Sequence, residues 1–242
     1  EDLPVLTVRR SDGQLTRARV HDRIVDYLRL LGLYGIYRIG HLQLDHALIT
    51  ALMERWRVET HTFHLSVGEA TITLQDVQVI TGLPLHGRPV IGVVPVRTPV
   101  EHQAECLRLL GFAPPVETIV GGAIMLSTLR AHFPLPETIP QGEDEDRIRQ
   151  LTRIYVLWMI GGSLFPDRSQ SRVSLMYLQL LEDLDVAAGY SWGSAVLVYL
   201  YRQLCHVTSP SSLGISGCMM ILQVLLEWYQ YLFFNLLYIE NY

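Results

Sequence analysis

The chain contains no lysine: all 19 of its basic residues are arginine. A pyridoxal-phosphate enzyme needs a lysine for its Schiff base and a Walker A loop needs one to reach the phosphates, so both are excluded for this chain. Cysteine is almost as scarce. Cys106, Cys205 and Cys218 are odd in number, far apart and without a C-x-x-C pair, which excludes a disulfide framework or zinc ribbon. They read as small buried hydrophobes in a reducing compartment. Only 18% of residues are charged against 49% hydrophobic, which is not the composition of a disordered or fibrous chain. Long apolar runs are interrupted too. The segment from Leu213 to Ile239 carries Glu227, Gln230 and Asn235, and a glutamate in mid-span is costly in a bilayer, so buried helix rather than membrane is expected. The opening stretch EDLPVLTVRRSDGQ has no apolar h-region, and a secretory signal is not expected there.

What remains is a 242-residue chain of net charge -5, long enough to bury a sizeable core. Residues Glu1 to Val20 read as a polar arm bearing Arg9, Arg10, Arg17 and Arg19. His21 to Leu31 places Ile24, Leu28 and Leu31 on one face and is followed by Gly32, an amphipathic helix with a glycine stop. A second helix is expected from the N-cap Asp45 to about Arg57, with Leu48, Ile49, Leu52 and Trp56 on one face. The period then changes from helical to alternating, and a small β-hairpin is expected over about Thr60 to Leu74, turning at Gly68-Glu69. Thr73 and Asp76 have capping-box spacing before a short helix that stops at Gly82.

Further helices are expected over Val100 to Leu110, Gly122 to His132, from the acidic run Glu143 to Asp146 through Ile160, over Val173 to Val186, after Ser191, and from about Gly217. Residues 84–99 read as an irregular crossing and FPDRSQSR as a loop. The fold class is therefore mainly α, a single multi-helix domain with one small β-hairpin. Trp56, Phe63, Leu74, Trp158, Phe165, Trp192 and Tyr199 are the expected large core or near-core residues.

One catalytic signature is present. Gly189-Tyr190-Ser191-Trp192-Gly193 fits the G-x-S-x-G nucleophile elbow. In that elbow the serine follows a buried strand, and an acid and then a histidine come later in the chain; here the preceding segment LMYLQLLEDLDVAAG reads as helix. The only downstream histidine is His206, with no Asp or Glu in between. A helix N-cap role for Ser191, its hydroxyl accepting a backbone N-H, with Ser194 in the first turn and Gly189 turning the chain, accounts for the same residues. His61, His64 and Glu69 could suggest a metal site, but strand side chains alternate, so residues three apart point to opposite faces. Asp183, Asp185 and the Glu143 to Asp146 run read as solvated helix ends. No catalytic residue, cofactor or metal is expected.

Three stretches taken together, LITALMERWRVETHTFHLSVGEATITLQDVQVITGLPLHGRPVIG, GGSLFPDRS and YSWGSAVLVYLYRQLC, resemble the plant mobile domain, the module of maintenance-of-meristems and MAIN-like proteins, over about His21 to Gln223. The resemblance implies a domain of plant genes and plant transposable elements, nuclear, linked to transposon silencing, genome stability and meristem maintenance, with no established catalytic residues. Such domains sometimes stand beside a calcineurin-like phosphatase domain, whose G-D-x-H-G, G-D-x-x-D-R-G and G-N-H-E motifs this chain lacks, while the label "aminotransferase-like" conflicts with the missing lysine. After CMMILQVLLEWYQ the family pattern leads one to expect a further Trp-centred helix. YLFFNLLYIENY departs from it, so residues 230–242 are expected to be atypical and the copy truncated.

The expected function is thus a non-enzymatic nuclear interaction domain whose partners are nuclear proteins. Two further readings stand beside it. One is nucleic-acid binding through Arg9, Arg10, Arg17 and Arg19, although residues 58–96 carry a single basic residue, Arg88. The other is a serine hydrolase at Ser191. No membrane partner is expected.

Overall fold

The computed structural model describes residues 7–8, 20–40, 42–66, 68–92, 97–134, 136–167, 169, 171–207 and 214–228. It is mainly α, a single domain in which small sheets brace a helical core.

The chain enters through a two-residue strand β1 (Thr7–Val8), which pairs in parallel with a late strand and so ties part of the expected polar arm to the body. Helix α1 (Asp22–Leu30) begins at His21, whose ring accepts a hydrogen bond from the Arg23 N-H at 3.3 Å, and buries Ile24, Val25 and Leu28. The expected stop at Gly32 (φ +70°) is observed, and a short unforeseen helix α2 (Tyr34–Ile39) follows it. Helix α3 (His46–Met53) starts at the predicted cap: Asp45 accepts from the Leu48 N-H at 2.9 Å.

The second helix was expected to reach Arg57, but it ends at Met53 and Trp56 opens a strand instead. Strands β2 (Trp56–Arg57), β3 (Thr62–Leu65) and β4 (Gly68–Ala70) form an antiparallel sheet with Trp56 opposite Phe63 and His64 opposite Glu69. The reason is cross-strand packing: the Trp56 and Phe63 rings meet edge to face, centroids 4.8 Å apart, an arrangement a helical Trp56 would not reach. The expected hairpin is thus a three-stranded sheet turning between Leu65 and Gly68. Leu74 is not in a strand and not in the core. It is the first residue of α4 (Leu74–Thr81), 41% exposed, because the Thr73–Asp76 capping box starts the helix there.

Helix α5 (Pro99–Leu110) repeats the device. Thr98 and Glu101 form a capping box, Pro99 occupies the first turn, and Gly111 (φ +77°) ends the helix in the left-handed region. The next expectation needs correction. Gly122 does not start a helix; Gly121 and Gly122, both at positive φ, form the two-residue turn between β5 (Ile119–Val120) and β6 (Ala123–Met125), and α6 (Leu126–Ala131) begins only afterwards. A Gly-Gly pair between apolar runs is a hairpin signal, since both turn residues need positive φ.

Helix α7 (Glu145–Met159) is the central element. It packs on α1, α5 and α6; Ile154 to Ile160, expected from their all-round apolar sequence to be buried on every side, are buried, and so are the preceding Leu151, Thr152 and Arg153. It then widens into a π turn over Ile160–Leu164. At Gly161 a Cβ would lie 2.6 Å from the Val173 Cβ, so the bulge and the glycine let β7 (Arg172–Ser174) lie against the helix and join β6 in the second sheet.

The helix expected over Val173 to Val186 is split. After β7 come α8 (Met176–Leu180) and α9 (Leu184–Ala187). Side chains divide it: Ser174 accepts from the Met176 N-H at 3.3 Å, and Asp183 caps α9 by accepting from the Asp185 and Val186 N-H groups.

Helix α10 (Trp192–Val207) packs on α4, with Trp192 and Leu200 fully buried. Strand β8 (Gly214–Ile215) pairs with β1, and residues 219–228 form a last helix, α11, burying Met219, Met220, Ile221, Leu222 and Leu226. The Gln223 side chain ties α11 to α3, its Oε1 accepting from the Asp45 N-H at 2.8 Å. Among the described residues no helix is long and apolar enough to cross a membrane.

Candidate functional site

The one catalytic signature in the sequence forms the junction where α9, α10 and the crossing segment after α4 meet. Ser191 is 6% exposed and precedes α10. Its hydroxyl does not accept a backbone N-H, as the capping role would require. It lies 2.5 Å from the Leu85 carbonyl oxygen, to which it donates, and 2.7 Å from the Ser194 Oγ. Backbone bonds surround it: the Ser191 N-H donates to the Arg88 carbonyl at 2.8 Å, the Arg88 N-H to the Gly189 carbonyl at 2.8 Å, and the Gly193 N-H to the Pro84 carbonyl at 2.9 Å.

The motif's glycines fit the same purpose. A Cβ on Gly193 would come within 2.8 Å of the Leu85 side chain, and one on Gly87 (φ +120°) within 2.3 Å of the Gly189 carbonyl oxygen. Arg88 completes the junction, its guanidinium donating to the Val186 carbonyl at 3.1 Å and lying 4.9 Å from the Tyr190 ring centroid. The pattern G-x-S-x-G therefore follows from two segments packing at backbone distance.

A nucleophile needs a base, and the hydrogen-bond partners of the Ser191 hydroxyl are a backbone carbonyl and a second serine, neither of which is one. Ser191 and His206 stand at the two ends of α10, fifteen residues apart in sequence, roughly 22 Å at the helical rise of about 1.5 Å per residue. The preceding element is helix α9 rather than a buried strand.

The other candidates separate as well. His61 is in a turn with φ +53° and stacks parallel to the Tyr201 ring, whereas the His64 Nε2 lies 3.3 Å from the Glu69 Oε1 across the sheet. Among the described residues no three His, Cys, Asp or Glu side chains are placed to hold a metal ion. Asp183 caps α9. Glu145 does more than sit at a solvated helix end: it accepts from Tyr27 and Arg23, which bind α1 to the start of α7 and hold its carboxyl below the usual carboxylate range. Arg9, Arg10, Arg17 and Arg19 lie outside the described residues.

Two polar clusters were not foreseen. Arg153, 8% exposed in mid-helix, donates to the Leu181 and Glu182 carbonyls at 2.8 Å each and to the Leu109 carbonyl at 3.2 Å, joining the ends of α5 and α8 to α7. Desolvation lowers its pKa, although an arginine remains charged. On α5 the buried His102 and Glu105 face each other at 4.0 Å, with Arg97 paired to Glu105. Neighbouring Cys106 is no reactive thiol, since burial pushes its pKa up to about 12.

The profile of the plant mobile domain matches residues 32–236, most of the chain. This chain belongs to that family. The plant mobile domain described here is 38% identical over 211 residues to Protein MAIN-LIKE 2 of Arabidopsis thaliana and 39% identical over 191 residues to Protein MAINTENANCE OF MERISTEMS of the same plant. Those alignments cover 87% and 78% of this chain but 31% and 39% of the relatives. A third relative, named Serine/threonine-protein phosphatase 7 long form homolog, is 43% identical over 193 residues, 80% of this chain and 14% of that protein. The domain thus spans well under half the length of these relatives. No solved structure is significantly similar to it.

Proposed function

We propose that this plant mobile domain is a non-enzymatic, nuclear protein-interaction module, acting in transposon silencing, genome stability and meristem maintenance or carried by a transposable element. The observation that supports it is the Ser191 junction: the single catalytic signature is used to dock the 84–88 segment on α10, its hydroxyl bonded to the Leu85 carbonyl and Ser194 rather than to a histidine or carboxylate. A relative bearing the name MAINTENANCE OF MERISTEMS gives the biological direction. The phosphatase in another relative's name belongs to a protein of which this chain covers 14%, and the chain has none of the phosphatase metal-binding motifs.

The test has two arms. Purified protein is assayed against nitrophenyl esters and phosphates, and a fluorescent fusion is imaged in plant cells and used to capture partners. Turnover that is lost in Ser191→Ala, or a fusion excluded from nuclei, refutes the proposal.

A second reading, nucleic-acid binding through Arg9, Arg10, Arg17 and Arg19, draws on the charge distribution. Residues 1–40 carry seven arginines against five carboxylates, whereas the rest carries twelve against nineteen. Because Thr7–Val8 pairs with Gly214–Ile215, the arm is best tested by changing the four arginines to glutamine rather than by deletion. Unchanged affinity in that variant removes this route.

A further inference from the structure

Helix α5 is apolar where a surface helix is expected to be polar. Its inward side carries the buried His102, Glu105, Cys106, Leu109 and Leu110, and the opposite side faces solvent. Along the centre of that outer side run Val100, Ala104 and Leu107, spaced i, i+4 and i+7 and therefore in one stripe. Val100 is 65% and Leu107 55% exposed, and Ala104 is exposed between them. On one flank the Gln103 side chain donates to the Pro114 carbonyl at 2.8 Å, and the segment it holds adds the exposed Val116 and Val120 to the apolar surface. The helix is held firmly for such a surface, with a capping box at its start, a left-handed glycine at its end and its inner side packed on α7.

The charges on the other flank indicate what covers the stripe. Glu101 and Arg108 lie on that flank seven residues apart, one toward each end of the helix. Glu101 uses its Oε2 in the capping box, which leaves the Oε1 for another donor. Arg108 gives its Nη1 to the Glu182 Oε1 at 2.6 Å; both side chains are more than half exposed, and the rest of the guanidinium fork is available. A second copy of α5 laid antiparallel on the first, with the two-fold axis at Ala104, fits these positions. Val100 of one copy then meets Leu107 of the other, the two small Ala104 side chains let the helices approach, and each Glu101 comes beside the opposite Arg108. A parallel pair would put the charged flanks on opposite sides of the contact and form neither ion pair. The face is complementary to itself in shape and charge, as an isologous contact requires.

We infer that the Val100–Ala104–Leu107 face of α5 is a self-association surface on which two copies of this chain pair antiparallel about Ala104. This names a partner for the interaction module proposed above and rests on that reading for its role, not for the contact. Three apolar side chains per copy and their rim cover less than the roughly 1,200–2,000 Å² of a stable interface, so the pairing is weak, with a dissociation constant on the order of 100 μM.

The experiment is sedimentation velocity of the whole chain from about 10 μM to about 1 mM, a range that brackets such a weak contact. The wild-type mass is expected to rise from 27.5 kDa toward twice that value. Ala104→Glu places like charges on the axis and should weaken association at least about tenfold. Leu107→Gln repeats that readout without adding charge, and both positions are exposed, so melting curves matching wild type separate lost association from lost fold. Arg108→Glu and Glu101→Arg each set like charges opposite one another and should weaken pairing when studied alone. In an equimolar mixture of the two, every altered side chain meets an opposite charge, and association should return to within about threefold of wild type.

A wild-type chain that stays monomeric throughout overturns the inference, and so does a dimer indifferent to Ala104→Glu and Leu107→Gln. A mixture that associates no better than its components overturns the antiparallel pairing on which the surface rests. A monomeric chain whose α5 variants lose binding to a different purified protein assigns the face to that protein instead. The readout is mass in solution, so its failure leaves the enzymatic and nuclear tests of the proposed function standing.

Discussion

Replacing Ser191 by alanine decides between a chemical and a structural role for the only catalytic signature in the chain. In the structural role the loss is the hydrogen bond to the Leu85 carbonyl, together with the contact to the Ser194 Oγ, from a residue that is 6% exposed. Little volume is removed, so the cavity contribution is small, and a lost buried bond of this kind costs about 1 to 2 kcal/mol. For a chain of 150–250 residues each kcal/mol corresponds to roughly 2 to 4 °C, which gives a melting point lower by about 2 to 8 °C.

Ser194 provides an internal check. Its Oγ already lies 3.3 Å from the same carbonyl and can take over the bond when Ser191 is gone. The two single variants should therefore be mild, and Ser191→Ala/Ser194→Ala, which leaves the carbonyl with neither hydroxyl, should cost about 1 kcal/mol more than their sum. Thermal and urea unfolding of the four proteins measures this directly. A Ser191→Ala protein that melts with wild type, and a strictly additive double variant, would refute the structural account; loss of a hydrolytic activity would replace it with the chemical one.

Arg153→Met should destabilise by about 3 to 5 kcal/mol, because three carbonyls at helix ends lose a charged donor together, and Arg153→Lys should recover less than half of that since an ammonium lacks the planar fork; urea midpoints close to wild type would contradict the assignment. Gly35→Ala puts a Cβ 2.0 Å from the Thr81 carbonyl oxygen and should cost about 1 to 3 kcal/mol or more, whereas Gly121→Asn, at φ +60° with nothing near its Cβ, should cost about 1 kcal/mol or less. Equal midpoints for those two proteins would show that α2 can move off α4. Glu145 supplies a pH dependence. Its folded pKa is depressed by Tyr27 and Arg23, so its contribution is present above the unfolded value of 4.5 and is lost as pH falls through the folded pKa. The side chain is 49% exposed, which limits the effect to under about 1 kcal/mol. The stability gap between wild type and Glu145→Gln should shrink as the pH falls below the ordinary value of 4.5 and through the lower folded pKa; a gap that widens on acidification reverses the sign and the argument.

Local signals in the sequence determined most of the helices. Asp45, the Thr73–Asp76 pair, Gly82, Gly111 and the acidic start of α7 are capping features whose energetics lie within a few residues, and each is found where the sequence places it. The apolar face of α1 and the all-round apolar run of α7 likewise specified what is buried. The family, too, is written in the order and spacing of its motifs.

What required the tertiary structure depends on partners distant in the chain. Trp56 leaves a helical pattern because Phe63 is available across a strand, and the helix expected over Val173 to Val186 gives up its first residues to β7 because Gly161 leaves room for them against α7. Gly122, expected to start a helix, instead forms with Gly121 a hairpin turn whose sheet is completed by a strand from residues 172–174. The roles of Ser191 and Arg153 are set by the carbonyls of Leu85, Leu109, Leu181 and Glu182. Capping and periodicity act over one or two turns and can be read along the chain. A buried polar group is satisfied by whichever backbone the fold brings within about 3 Å of it, and only the assembled domain decides which backbone that is.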